Sequence, residues 1–107
     1  MKKYIVNILP FAEEDLYEIV SYFYNVNKDY ANKLYSSLSS RIEELELFPE
    51  KGSIVPELEK QGFLKYHQLI EGNYRIIYSI IDPSVFVHLI VDSRRNLEGV
   101  LINKLQR

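Results

Sequence analysis

Apolar residues in the opening segment fall on both parities, Tyr4, Val6 and Ile8 against Ile5 and Leu9, which predicts a strand over residues 3–9 buried on much of both faces. Pro10 ends that strand and suits a first helical turn, and Glu13, Glu14 and Asp15 then sit at the positive end of the helix dipole. A helix over residues 10–24 follows, with Ala12, Leu16, Ile19, Val20 and Phe23 as its buried stripe. After the polar link of residues 25–29, Ala31, Leu34, Leu38, Ile42, Leu45 and Phe48 repeat at helical spacing until Pro49. So short a link folds the two helices into an antiparallel hairpin. Residues 49–62 hold Gly52, Pro56 and Gly62, fit neither period, and read as an ordered connection.

The period then changes to two. Residues 63–70, 73–81 and 85–91 are three strands separated by Glu71-Gly72-Asn73 and Asp82-Pro83-Ser84, both turn compositions, and they form an antiparallel meander. In the middle strand Tyr74, Ile76, Tyr78 and Ile80 share one face, and Arg75, Ile77, Ser79 and Ile81 share the other. Asn96 is placed to cap a last short helix carrying Leu97, Val100, Leu101 and Leu105 on one side. The order predicts an α+β fold: an N-terminal strand, an antiparallel helical hairpin packed on one face of a mostly antiparallel four-stranded sheet, and a short C-terminal helix.

The chain has 107 residues, 47% of them hydrophobic and 26% charged, with 4 Gly and 4 Pro, which is the profile of one globular domain over residues 1–107. No apolar run approaches the roughly 18 residues of a membrane span. The opening residues reach Pro10 and a cluster of acids before a signal-peptide core can form, so a soluble, cytoplasmic protein is expected. With no Cys and 2 His, disulfides and thiolate sites are excluded and a multi-histidine metal site is not expected, leaving chemistry without metal or cofactor. A net charge of −2 argues against a generic nucleic-acid binder. The halves differ, however: residues 1–59 hold six Lys/Arg against eleven Asp/Glu, a net of −5, and residues 60–107 hold seven against four, a net of +3. The basic carboxyl half suits an acidic or phosphate-bearing partner.

Catalytic motifs with fixed spacing are absent: there is no phosphate-binding glycine loop, no His-Glu-x-x-His and no Gly-x-Ser-x-Gly. If the hairpin covers one sheet face, Lys65, His67, Arg75, Ser79, Arg94 and Arg95 are the candidates on an open, shallow opposite face. Arg75, in the middle of the central strand, either clamps a phosphate or carboxylate with its two-pronged fork or lies across the face and pairs with a nearby acid. His88, among Val87, Leu89 and Ile90, reads as a hydrogen-bonded structural histidine, and His67, flanked by more polar residues, as the better acid or base. The helix carboxylates are assigned no chemistry, and most of the 9 Tyr read as core-boundary residues.

The opening strand followed by Pro10-Phe11-Ala12-Glu13-Glu14-Asp15-Leu16, then Leu47-Phe48-Pro49-Glu50-Lys51-Gly52, Val55-Pro56-Glu57-Leu58, Gly72-Asn73-Tyr74-Arg75-Ile76-Ile77-Tyr78 and Asp92-Ser93-Arg94-Arg95-Asn96-Leu97 together resemble the RelE/ParE superfamily of bacterial toxins. The resemblance spans nearly the whole chain and agrees with the α+β arrangement. It implies the toxin half of a type II toxin–antitoxin pair, held in a hetero-oligomer by a cognate antitoxin. The basic carboxyl half and an apolar groove between helices and sheet suit an acidic, amphipathic antitoxin segment.

Within the superfamily, RelE-like members cut mRNA on the ribosome without metal, using the 2′-hydroxyl as nucleophile, and ParE-like members poison DNA gyrase. For cleavage the resemblance implies Arg75, His67 and Asp92 as the catalytic set, with a base, an acid and a phosphate clamp to be found among them. Asp92 stands where the family usually has a histidine or similar group, the preceding basic residues are thinned to Lys65 and His67, and residues 92–107 contain no tyrosine. These departures and the negative charge favour the ParE-like side. Lys65, Arg75, Arg94, Arg95, Leu101 and Leu105 then form a surface for target or antitoxin. A toxin fold that has lost toxicity and only binds its antitoxin is the third reading.

Overall fold

The computed structural model describes residues 2–93 and 98–105. In chain order the elements are β1 (Ile5–Ile8), α1 (Pro10–Tyr24), α2 (Lys28–Glu43), 3₁₀ turns at Glu44–Glu46 and Pro49–Lys51, β2 (Ser53–Ile54), α3 (Pro56–Glu59), β3 (Tyr66–Glu71), β4 (Tyr74–Ile81), β5 (Ser84–Asp92) and α4 (Glu98–Leu105). The five strands form one sheet in the order β1-β5-β4-β3-β2, with β1 parallel to β5 and every other pair antiparallel. The expected four-stranded sheet thus gains a two-residue edge strand, β2, too short to leave a period in the sequence. The expected strand from residue 63 begins only at Tyr66. The expected Asn96 cap, with Leu97, lies outside the described residues.

Local chemistry explains the two long helices. Pro10 opens α1 at a position where its missing N–H costs nothing. Asn27 caps α2, its side-chain oxygen accepting the Tyr30 N–H at 3.0 Å. The hairpin lays Ala12, Leu38, Ile42 and Leu45 on Leu69, Ile76, Tyr78, Val85, Val87 and Ile90, with Leu16, Ile19 and Leu34 at the margin. The face assigned to Tyr74, Ile76, Tyr78 and Ile80 is therefore the face under the helices.

Two devices shape the sheet. Between Ile77 and Tyr78 the register of β4 on β5 slips by one residue, so that Ile77 faces Leu89 and Tyr78 faces Val87, leaving His88 as the extra residue of a bulge. The bulge switches parity: Val85 and Val87 precede it and Ile90 follows it in the same core. The β3–β4 turn uses Gly72 at φ 58, the left-handed geometry that a glycine-first two-residue hairpin turn requires.

The expected open face opposite the hairpin is not open along its length. Val55, Leu58, Tyr66, Ile77, Leu89, Val91 and Leu101 form a second core there, with Ile102 and Leu105 against it, so α3 and α4 cover that end of the sheet. Leu101, expected on a partner-facing surface, is fully buried. Among the described residues no helix is long and apolar enough to cross a membrane.

The Tyr78 hydroxyl fastens the connection to the sheet, donating to the Pro49 carbonyl oxygen at 2.6 Å and accepting the Gly52 N–H at 3.1 Å. A Cβ on Gly52 would strike that hydroxyl and stand 2.5 Å from the Gln68 carbonyl oxygen. Gly52→Ala should therefore destabilise the chain by about 1–3 kcal/mol through overpacking, read as a lower urea midpoint at unchanged slope.

Candidate functional site

The site is built on the sheet face away from the helical hairpin, where β3, β4 and β5 present Gln68, Arg75, Ser79 and His88. Arg75 stands opposite Ile70 on β3 and Val91 on β5, and its side chain points away from α1 and α2. Its guanidinium meets Glu57 of α3 through two parallel bonds, Nη1 to Oε1 at 2.7 Å and Nη2 to Oε2 at 2.6 Å. Nη1 also donates to Gln68 Oε1 at 3.3 Å. The side chains of Arg75 and Glu57 are only 11% and 15% exposed. Of the two alternatives left open for Arg75, the structure adopts the ion pair with a nearby acid.

Glu57 was not among the expected site residues. It lies 18 positions before Arg75 in a helix of one turn, and no periodicity or motif connects the two. The connecting segment supplies it because Val55 and Leu58, both fully buried, seat α3 on the sheet and carry Glu57 over Arg75.

Toward the other end of the same face, Ser79 Oγ and His88 Nε2 lie 2.8 Å apart. The bulge turns His88 onto this face, and its ring meets the edge of Tyr66 at 5.2 Å between centroids. Lys65 places its ammonium over the Tyr66 ring. Burial, and secondarily the Lys65 charge, hold the His88 imidazole below the usual histidine range. His88 is thus the hydrogen-bonded histidine that its apolar neighbours suggested.

The other expected catalytic residues do not join Arg75. His67 pairs with Tyr78 across the strands and stacks on its ring at 5.6 Å, on the hairpin side of the sheet. Asp92 pairs with Tyr74 and so shares that same side. Arg75 is on the reverse side from both. Arg94 and Arg95 lie outside the described residues. Among the described residues no three His, Asp or Glu side chains gather as a metal site.

Elsewhere, Asp15 has a role that its helix position did not suggest. Its Oδ2 accepts the Ile90 N–H at 3.0 Å, and Lys104 of α4 approaches its other oxygen at 3.9 Å. Burial raises its carboxyl above the usual range, partly offset by that N–H and Lys104. A groove of about 560 Å³ runs between α1 and α2, lined in part by Leu16, Tyr17, Val20, Tyr24 and Tyr35 with Glu13 at its edge. It lies between the helices, whereas the expected groove lay between helices and sheet, and Glu13 gives its rim an acid.

The fold and this face can be set beside known proteins. No curated protein matches the chain. The family model described as the ParE toxin of the type II toxin–antitoxin system, parDE, matches residues 6–97. This chain belongs to the ParE toxin family. Solved structures similar to this ParE-family toxin include the chromosomal ParDE TA system from P. aeruginosa, with a TM-score of 0.67 and 13% identity over 84% of this chain and 96% of that one. The toxin–antitoxin complex RelBE2 from Mycobacterium tuberculosis matches with a TM-score of 0.65 and 17% identity, over 86% of this chain and 93% of that one. At these identities the likeness is one of fold, and it spans both the ParE and the RelE branches of the superfamily.

The depressed basicity of His88 makes a pH prediction. The folded state holds His88 below its unfolded value of about 6.5, so the unfolded chain binds the extra proton first and stability is lost as pH falls through that value toward the folded one. Urea unfolding of the wild type should weaken more between about pH 7.5 and pH 5 than that of His88→Gln, which keeps a partner for Ser79 but does not titrate. Equal losses in the two proteins would show that His88 is not held neutral by the fold.

Proposed function

We propose that this ParE-family toxin acts on DNA gyrase and is neutralised by a cognate antitoxin, and that it does not cut RNA. The observation that carries the reading is the placement of Arg75. Metal-free cleavage of a phosphodiester by its own 2′-hydroxyl needs a base, an acid and a cation on the phosphate, converging within hydrogen-bond reach. Here the cation of the central strand is engaged by Glu57, and His67 and Asp92 sit through the sheet from it. Such a face is suited to contact rather than to catalysis. Membership of the ParE family supports gyrase as the target, and the toxin–antitoxin complexes among the structural neighbours support the antitoxin.

On this reading Lys65, Arg94, Arg95 and Leu105 belong to binding surfaces, and Leu101 serves by holding α4 to the second core. The test is direct. Purified toxin added to gyrase and supercoiled plasmid should stop supercoiling and yield linear DNA once detergent and protease release trapped cleavage complexes. The same preparation added to programmed ribosomes should leave mRNA intact. Cut mRNA with unaffected gyrase would overturn the proposal in favour of RelE-like chemistry, and no effect in either assay would favour a fold that only binds its antitoxin.

A further inference from the structure

The helical hairpin is apolar on two sides, and the sheet covers only one of them. On the outer side Leu16 and Val20 floor the groove between α1 and α2, and Tyr17, Tyr24 and Tyr35 wall it. Tyr17 is 73% exposed and Tyr35 52%. Large rings gathered on one exposed surface are the composition of an interface, where tyrosine covers much area at little loss of side-chain freedom. The two ends of the groove carry opposite charge. Glu13 lines one end, and α1 contains no Lys or Arg to neutralise it. The antiparallel hairpin brings Lys28, the first residue of α2, to the other end, its ammonium 5.4 Å from the centre of the Tyr24 ring. From residue 13 to residue 24 α1 rises about 16 Å, so the two charges stand well apart. Among the described residues neither Glu13 nor Lys28 has an ion-pair partner.

We propose that the groove seats a second copy of this chain, two hairpins packing outer face to outer face about a two-fold axis as an antiparallel four-helix unit. A two-fold axis crossing the groove midway between its ends sets the Glu13 end of each copy against the Lys28 end of the other, so both ends pair at once. The tyrosine ridge of one copy then lies in the groove of its partner. A wholly acidic segment would meet Glu13 and a wholly basic one would meet Lys28, whereas the patch is complementary to itself. The contact closes at two copies and leaves the opposite sheet face, with α3 and α4, uncovered.

Sedimentation equilibrium of the purified full chain, run from about 1 to 300 µM, tests the proposal. The wild type should form a dimer and nothing larger. Glu13→Lys, Lys28→Glu and Tyr17→Lys should each weaken that dimer about tenfold or more, because a two-fold interface feels every change twice. All three side chains are exposed, so each variant should keep the dispersed amide spectrum of the sheet. Mixing Glu13→Lys with Lys28→Glu should restore association as a heterodimer. In that pairing the introduced lysine faces the introduced glutamate, and the two native residues face each other. A wild type that stays monomeric throughout would leave the groove to a different chain such as the antitoxin and overturn the proposal. A dimer that none of the three variants weakens, or a mixture that associates no better than its components, would overturn it as well.

Discussion

The sheet face away from the helical hairpin is governed by one ion pair. Arg75 is the guanidinium in the middle of the central strand, and Glu57 meets it with both oxygens. Charges taken out of water are costly unless geometry is good and further donors find partners; the two-pronged contact supplies the geometry and Gln68 takes one more N–H. The pair in turn constrains the chain. It fixes α3 against β4, and α3 brings Val55 and Leu58 to the second core on which Leu101 of α4 rests. Gln61 on the stretch after α3 reaches Glu98 of α4 at 2.6 Å, so the cover over this end of the sheet is held by polar as well as apolar contacts.

Much of the fold was legible because its long elements carry strong periods. Ala12, Leu16 and Ile19 of α1, Leu34, Leu38 and Ile42 of α2, and Tyr74, Ile76, Tyr78 and Ile80 of β4 meet in one core as their periods predict, whereas Phe48, read as the end of the second helix's stripe, lies beyond α2 and is exposed. The missing parts share a physical reason. β2 is two residues and α3 is four, too short for any period, and both are held by contacts distant in sequence. The bulge at His88 was equally silent: its neighbours Val85, Phe86, Val87, Leu89, Ile90 and Val91 are apolar on both parities, so a shift of one residue leaves no trace in the pattern.

The candidate site was legible in its residues and not in its partners. Arg75 stood out as the one charge on a strand otherwise built of Tyr, Ile and Ser. Its alternative fates, clamp or ion pair, differ by one glutamate on a single helical turn, in a connection whose elements are too short to leave a period. His67 and Asp92 drew attention through residue type, yet strand alternation puts them on the hairpin side of the sheet. A family resemblance names the superfamily from segments spread over the chain, but it does not say which face each side chain occupies or what already holds it.

The central claim is that Arg75 is engaged by Glu57 in solution and is not available as a free cation. A double-mutant cycle in urea unfolding over the wild type, Glu57→Ala, Arg75→Ala and the double variant measures that engagement alone. The pair predicts that each single change costs about 3 kcal/mol by stranding a charge, and that the double variant loses far less than the sum, with a coupling of about 2 kcal/mol or more. Additive losses within roughly 0.5 kcal/mol would mean that the two residues do not meet, and Arg75 would return as a candidate phosphate clamp.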